Sequence, residues 1–130
     1  MKEIEVGDYV RTKKGIIGEL ISETLSYPEP SEWKLKVNNS EIIIVENEDY
    51  PVKHSKQLKD LVGSGDLIIY RLRGLKHQSE GFIRIYKDAR SEEESLGVDN
   101  YSLEQIEIIK ILTHEQFEAN CYKVGGEDER

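Results

Sequence analysis

Hydrophobic and polar residues alternate in short blocks along the first third of the chain. Residues 9–11 and 16–21 are rich in β-prone side chains and flank the turn at residues 13–15, which predicts a β-hairpin. Residues 33–37 alternate Trp, Leu and Val with lysines, and residues 41–45 are mostly isoleucine and valine. These patterns predict four short strands in a small meandering, barrel-like β-structure, in which closure removes exposed strand edges.

The sequence pattern of residues 6–21 recurs in weaker form at residues 64–86. Gly7-Asp8 recurs as Gly65-Asp66, and Gly15-Ile16-Ile17 is matched to Gly81-Phe82-Ile83 with eight additional residues between the two halves of the second copy. The repeat predicts two similar β-units, the second having a longer first hairpin loop. Two copies are too few for a solenoid, and chance similarity between two short β-hairpins is the alternative to a repeat.

Helical signals occur between and after the two copies. Ser55 and the apolar spacing that follows predict a short helix or 3₁₀ turn before Gly63. Two capping-box patterns, at residues 102–105 and 113–116, predict a helical turn and a short helix that contains Phe117.

The remaining segments of the second half are assigned by composition. Residues 88–100 are polar and acidic and are predicted to form a surface loop, whereas the β-branched residues 106–112 predict a buried strand. Residues 121–124 are predicted to form a closing strand. The predicted organisation is a first barrel at 1–54, a connector at 55–64, a second barrel at 65–124 and a mobile tail at 125–130.

The composition is that of a globular protein of one ordinary domain or two very small ones. The chain has 130 residues, 37% of them hydrophobic. No apolar run approaches the roughly 20 residues that span a bilayer, and the amino-terminal segment is acidic where a signal peptide is apolar. We therefore expect no membrane contact and a cytoplasmic location. The single cysteine, Cys121, is predicted to be a small buried hydrophobic residue.

Charge is distributed unevenly. The net charge is −8, yet residues 70–90 carry six Lys or Arg against two Asp or Glu. A one-sided strip on the hairpin of the second unit is a candidate nucleic-acid-binding site, formed by Arg71, Arg73, Lys76, Arg84, Lys87 and Arg90. The favoured alternative is that these cations neutralise the acidic carboxyl-terminal region, because a negative protein approaches phosphate against its own field.

The acidic runs suggest a protein partner instead. Glu92, Glu93 and Glu94, and a second run at residues 127–129, could imitate phosphate charge toward a protein that binds nucleic acid. The alternative is an ordinary solvated loop and tail. Seven tyrosines against two phenylalanines also suggest aromatic rings at an interface.

The sequence has no recognisable catalytic motif. His54, His77 and His114 are widely spaced and have no neighbour at metal-ligand spacing. There is no nucleophile elbow, Walker loop or Rossmann fingerprint, and Gly63-Ser64-Gly65 precedes a strand rather than a helix. We therefore predict no enzymatic activity, no metal and no cofactor.

Two segments support a family resemblance. Residues 52–68, VKHSKQLKDLVGSGDLI, and 101–124, YSLEQIEIIKILTHEQFEANCYKV, resemble small uncharacterised phage and prophage proteins of Firmicutes that share an "ILT-x-EQF" ending. The resemblance implies tandem Src-homology-3-like (SH3-like) or KOW-type β-barrels, in a mainly β protein with short helical turns. Here Gly63-Ser64 departs from the bulkier residues expected before the second Gly-Asp pair.

The observations together predict a non-enzymatic protein that binds another macromolecule, and the resemblance implies that it is encoded by a phage or prophage. A host or phage protein is the favoured partner, and inhibition of a host or defence protein is a narrower form of this prediction. The alternative function is that of a nucleic-acid-contacting accessory protein that uses the strip at residues 71–90.

Overall fold

Two five-stranded antiparallel sheets form the core of the computed structural model, which describes residues 4–87 and 94–120. The first sheet contains β1 (Tyr9–Thr12), β2 (Ile17–Thr24), β3 (Glu32–Val37), β4 (Ser40–Val45) and β5 (Pro51–Ser55). The second contains β6 (Leu67–Leu72), β7 (Ser79–Lys87), β8 (Glu94–Val98), β9 (Tyr101–Ser102) and β10 (Ile106–Leu112). We refer to them as the first unit and the second unit.

The two sheets have the same connectivity. Their strand orders are β4-β3-β2-β1-β5 and β9-β8-β7-β6-β10, so in each unit four strands form a meander and the fifth returns to pair with the first. One of the two sheets forms a half-barrel. The predicted fold class, a mainly β protein with two small barrel-like units, is confirmed.

The repeated Gly-Asp pairs adopt the same turn. Gly7 and Gly65 both have φ +96°, in the left-handed region that glycine tolerates without strain. The carboxylates of Asp8 and Asp66 each accept a hydrogen bond from the backbone N–H three residues earlier, at 3.0 and 2.7 Å. The repeat in the sequence therefore corresponds to a repeated hydrogen-bonded turn that starts each unit.

The sequence alignment of the second half of the repeat was wrong by three residues. Leu20 and Ile83 are the equivalent positions, because each donates its backbone N–H to the carbonyl of the repeated aspartate, at 2.8 and 2.7 Å. Gly81 is therefore equivalent to Gly18, not to Gly15, and the insertion in the second unit is five residues rather than eight. Gly15 belongs to the hairpin turn, whereas the other two glycines lie in strands.

The strand glycines make room for a second repeated feature. A Cβ atom on Gly18 would lie 2.9 Å from Val37 Cγ2, and a Cβ atom on Gly81 would lie 2.7 Å from Val98 Cγ2. Each valine precedes a residue with positive φ, Asn38 at 57° and Asp99 at 53°, at the tip of a hairpin. These turns align the third strands of the two units.

Three strand predictions need correction. Residues 94–98 form β8 rather than part of a loop, because Val98 is fully buried and pairs with Ile83. The prediction of four strands in the first unit missed β5, which begins with proline, at a position where the backbone N–H is dispensable. The strand at 106–112 is an edge strand in which only Ile106 is buried.

Each unit has its own hydrophobic core. The first core consists of Val10, Leu20, Trp33, Leu35 and Ile44. The second consists of Val62, Ile68, Tyr70, Ile83, Val98 and Ile106. The alternating pattern of β3 is confirmed, since Trp33 and Leu35 are buried and Lys34 and Lys36 are more exposed. The two cores explain why the sequence contains two copies of a similar pattern of apolar residues.

The predicted helical turns are present and short. The connector contains a 3₁₀ turn at Leu58–Asp60, a second lies at Leu103–Gln105, and the α-helix α1 spans His114–Asn120. No helix in the described ranges is long and apolar enough to cross a membrane. The predictions for Cys121, the closing strand at 121–124 and the tail at 125–130 lie outside the described residues.

Candidate functional site

A cluster of ionisable side chains, centred on the buried residues Arg11 and Asp66, joins the two units. Arg11, on β1, is only 5% exposed and reaches across to Asp66 at the start of β6, with Nη1–Oδ2 and Nη2–Oδ1 distances of 2.5 and 3.0 Å. Its Nη2 also lies 2.6 Å from Oε1 of Glu115, on α1. We call Arg11, Asp66, His114 and Glu115 the ion-pair cluster.

Asp66 is the centre of this cluster. Its side chain is fully buried and accepts hydrogen bonds from the backbone N–H groups of Gly63 and His114, at 2.7 and 2.9 Å. Burial alone would raise the pKa of Asp66, but the hydrogen bonds from Arg11 and from the two backbone N–H groups lower it below its usual range. Asp66 is therefore held as a carboxylate.

The same contacts raise the pKa of the Arg11 guanidinium. Burial opposes its charge, but the hydrogen bonds and charges of Asp66 and Glu115 outweigh that effect. Nη1 of Arg11 also donates to the carbonyl of Leu61 at 2.9 Å. The guanidinium thus has partners in the connector, in the second sheet and on α1.

The start of α1 is fixed against the β1–β2 turn of the first unit. Thr113 Oγ1 donates to the carbonyl of Gly15 at 2.7 Å, and Gln116 Nε2 donates to the carbonyl of Lys14 at 2.6 Å. A Cβ atom on Gly15 would lie 2.4 Å from Thr113 Oγ1, so the contact requires a residue without a side chain. The two predicted capping-box residues of α1 therefore also connect the units.

The cluster brings together ligand types that often bind metals. One oxygen each of Asp66 and Glu115 and a ring nitrogen of His114 lie within 4.8 Å of one another. Arg11 Nη2 lies 3.0, 2.6 and 3.4 Å from these three atoms, so its positive charge occupies the space between them. The arrangement is that of a buried ion pair that holds two units together.

The sequence reasoning missed this cluster because its members are far apart along the chain. Arg11 and Glu115 are separated by 104 residues, and Asp66 and His114 by 48. A signal was nevertheless present: Arg11 lies in a strand between Val10 and Thr12, which are both buried, and a buried charge requires a partner. The sequence does not say which of the many carboxylates that partner is.

The first unit has a related but more exposed cluster at Asp8. Lys56 Nζ lies 2.5 Å from Oδ1 and His54 Nδ1 lies 3.0 Å from Oδ2 of this carboxylate. The hydrogen bond from Lys56, followed by that from the backbone N–H of Glu5, lowers the pKa of Asp8 to about 2. Both repeated aspartates thus combine a backbone turn with basic side chains.

The predicted basic strip does not form one continuous surface. Arg71 pairs with Glu107 across the β6–β10 ladder, and Arg73 Nε donates to the carbonyl of Glu104 at 2.9 Å. Both arginines therefore contact the neighbouring acidic segment. This geometry agrees with the alternative prediction that the cations neutralise acidic residues of the same molecule.

The other members of the strip are spread along the hairpin. Arg84 lies on β7 about six strand positions from the point opposite Arg71, a separation of roughly 20 Å. Lys76 is in the loop after β6, and Lys87 is the last residue of β7. Arg90 lies outside the described residues. The structure thus brings Arg71 and Arg73 together at one end and places Arg84 and Lys87 toward the other.

The predicted acidic protein-binding run is described only at its end. Glu94 is the first residue of β8, and its backbone is paired with that of Lys87. Glu92 and Glu93 lie outside the described part of the chain. Glu94 is therefore a sheet residue rather than a loop residue.

The outer face of the second sheet carries an apolar row that the sequence analysis did not identify. Leu112, Leu67 and Phe82 are direct neighbours across three strands, and Leu112 and Phe82 are 39% and 54% exposed. Their neighbours Ile68 and Ile83 point inward and are buried, as strand alternation requires. We call these three residues the apolar row. Ile85, two residues after the inward-pointing Ile83, is 54% exposed.

A cleft of about 710 Å³ separates the two units at β10. Its first wall contains Tyr9, Ile17 and Lys36 from the first sheet, and its second wall is the edge strand from Ile108 to Ile111. The ladder with β6 shifts register between Ile108 and Lys110, a bulge that distorts this edge.

Comparison with known proteins identifies neither a family nor a function for this chain. The described residues present a buried inter-unit ion pair, an exposed apolar row and a cleft between two small β-units. No family model, curated protein or solved structure matches the chain, so functional inference rests on these features.

Proposed function

We propose that this protein is a non-enzymatic binding protein that acts by contacting another protein. The apolar row is the observation that carries this proposal. Leu112, Leu67 and Phe82 are in register, so they form one apolar surface rather than scattered exposed residues. Burial of exposed aromatic and aliphatic side chains is a common source of affinity between proteins.

Three further features support a protein partner over nucleic acid. The apolar row and Glu80 lie on the same face of the hairpin as Arg71 and Arg84, so this face is not uniformly basic. Arg71 and Arg73 already contact acidic residues or their backbone. The net charge of −8 opposes the approach to phosphate. A phage or prophage origin and inhibition of a host or defence protein remain narrower forms of the proposal.

A capture experiment from a lysate of the source organism tests the proposal. The wild-type protein and the variants Phe82→Asp and Leu112→Asp are immobilised and compared with and without nuclease treatment. The matched control is Ile43→Asp, which places a charge at a 59% exposed position on β4 of the first unit. We expect a nuclease-resistant partner that is retained by wild type and by the control but lost from both apolar-row variants.

Circular dichroism serves to check that each variant keeps its β-structure. Failure to retain any protein reproducibly would contradict the proposal, as would a partner that disappears on nuclease treatment. A partner bound equally by all four proteins would place the interaction away from the apolar row.

A further inference from the structure

A small pocket on the first unit differs in chemistry from both the apolar row and the ion-pair cluster. It has a volume of about 330 Å³ and is lined by Ile4, Glu23, Trp33, Glu46, Tyr50 and Pro51. We call it the Trp33 pocket. Its lining combines two aromatic residues, two aliphatic residues and two carboxylates, so a ligand would have to satisfy both apolar and negatively charged groups.

Both carboxylates are held in place by neutral donors. Glu23 Oε2 accepts a hydrogen bond from Trp33 Nε1 at 2.9 Å, and the two residues are direct cross-strand neighbours. Glu46 Oε1 accepts a hydrogen bond from the backbone N–H of Ser31 at 3.1 Å. Neither carboxylate takes part in an ion pair with any other described residue. Within residues 4–87 and 94–120, two oriented negative charges are thus left without a positive partner.

The aromatic residues favour the same kind of ligand. The faces of Trp and Tyr rings attract cations, Trp most strongly. Lys13 Nζ already lies 5.6 Å from the centre of the Tyr50 ring, so this ring interacts with an ammonium group within the molecule itself. Tyr50 is 38% exposed and Trp33 is 7% exposed, so Trp33 forms an inner wall of the pocket and Tyr50 part of its rim.

We propose that the Trp33 pocket binds the cationic side chain of a lysine or arginine in a protein partner. The pocket volume is sufficient for one such side chain, whose aliphatic part would contact Ile4 and Pro51 while its charge contacts Glu23 and Glu46. This inference rests on the proposed function and adds the chemistry of the partner. An acidic protein also attracts basic segments at long range.

Other ligand classes fit the pocket less well. An anion would be repelled by the two carboxylates, and a purely apolar ligand would remove water from them without replacing their hydrogen bonds. A basic side chain avoids both costs, because its apolar stem and its charged end match the two parts of the lining. Lysine and arginine share this chemistry, and the experiment distinguishes them.

Trp33 makes the pocket directly observable, because it is the only tryptophan in the chain. Capped tripeptides Gly-Lys-Gly, Gly-Arg-Gly and Gly-Gln-Gly are titrated while the indole N–H resonance and tryptophan fluorescence are recorded. We expect a saturable change with the lysine or the arginine peptide and none with the glutamine peptide. The indole resonance should shift because its hydrogen bond to Glu23 changes when a cation approaches that carboxylate.

Variants test whether the two carboxylates are responsible. Glu23→Gln and Glu46→Gln each remove one charge and keep a side-chain oxygen as acceptor. Each should weaken binding of the cationic peptide by about three- to tenfold. Glu41→Gln is the matched control, because it makes the same charge change on β4 at a residue that pairs with Lys34. It should leave binding within about twofold of wild type.

The titration and the lysate capture can fail independently. A captured partner together with an unresponsive Trp33 would overturn the pocket inference alone. A saturable response to cationic peptides without any captured protein would contradict the proposed function. Two other results would also overturn the pocket inference. An equal response to the glutamine peptide would mean that the pocket does not recognise charge, and equal weakening by Glu41→Gln would mean that net charge, not the pocket carboxylates, attracts the peptide.

Discussion

Arg11 of the first unit and Asp66 of the second form a buried, two-pronged ion pair, with Nη–Oδ distances of 2.5 and 3.0 Å. Their side chains are 5% and 0% exposed. Such a pair adds little net stability relative to an apolar contact, but loss of one partner leaves a buried charge uncompensated. The relative arrangement of the two units therefore depends on both residues being present.

We expect Asp66→Asn to lower the free energy of unfolding by about 3–5 kcal/mol, because Arg11 would lose its most buried anionic partner. Denaturant unfolding monitored by Trp33 fluorescence and by circular dichroism measures this loss. Trp33 is in the first core, so the two signals should separate if the units unfold independently after the change. Asp60→Asn, at an exposed position in the connector, should change stability by no more than about 1 kcal/mol. Equal losses for the two variants would contradict this role of Asp66.

The lowered pKa of Asp8 predicts that the folded protein loses stability in acid. Its pKa is lowered from 3.8 to about 2 in the folded protein, first by the hydrogen bond from Lys56 and then by that from the backbone of Glu5. Because the folded pKa is below the unfolded one, the stabilisation is present above about pH 4 and is lost as the pH falls toward 2. The stability advantage of wild type over Asp8→Asn should therefore disappear across this interval. An advantage that is independent of pH would show that the charge of Asp8 is not responsible.

The raised pKa of Tyr70 predicts that stability also depends on pH in the alkaline range. Burial and the hydrogen bond to Asp99 raise the pKa of Tyr70 from 10.0 to about 12. A raised folded pKa means that the stabilisation is complete below pH 10 and is lost as the pH rises through 12. Absorbance titration should show a late-ionising tyrosine in wild type and in Tyr27→Phe, a change at a 97% exposed residue. That late step should be missing from Tyr70→Phe, and its persistence there would contradict the assignment.

Gly18 tests the close packing of β2 against β3. A Cβ atom there would lie 2.9 Å from both the Lys36 carbonyl and Val37 Cγ2, so we expect Gly18→Ala to destabilise the protein by about 1–3 kcal/mol. Gly63→Ala is the matched control, because its φ lies outside the left-handed region and its nearest neighbour, Arg11 Nη1, is 4.0 Å away. It should change the free energy of unfolding by less than about 0.5 kcal/mol. Tolerance of alanine at Gly18 would contradict the packing argument.

The arginines of the β6–β7 hairpin lead to a prediction about nucleic-acid binding. Because Arg71 and Arg73 are engaged by the acidic segment, we expect no mobility shift of single- or double-stranded DNA or RNA at low salt. A variant carrying Arg71→Glu, Arg73→Glu and Arg84→Glu should behave like wild type. A salt-sensitive shift with wild type that this variant lacks would favour the nucleic-acid-contacting alternative.

The repeated turn was the most informative local pattern in the chain. Gly7-Asp8 and Gly65-Asp66 were recognised as equivalent, and the structure gives both pairs the same backbone angle and hydrogen bonds. The second half of the repeat was misaligned because residues 15–18 contain two glycines with different tasks. Gly15 completes a turn and Gly18 permits close packing, and sequence similarity does not distinguish these two structural roles.

Strand exposure was harder to predict than strand position. The segment at 106–112 was correctly predicted as a strand but not as a sheet edge, because an edge is defined by the strands beside it. The short strand β8 was missed because its acidic start resembles a loop, although the buried Val98 fixes it against β7. The apolar row likewise depends on cross-strand register, which places Leu112, Leu67 and Phe82 side by side.

The sequence by itself determined the mainly β fold, the two similar units and the helix that starts after Thr113, because alternation, glycine turns and capping residues act over a few neighbouring residues. Only the tertiary structure decided which carboxylate neutralises Arg11, which arginines meet acidic partners and which residues surround Trp33. These contacts join residues separated by tens of positions, and many similar charges compete for each partner. Chain packing selects one of them through distance and burial, and those quantities do not exist until the two sheets have formed.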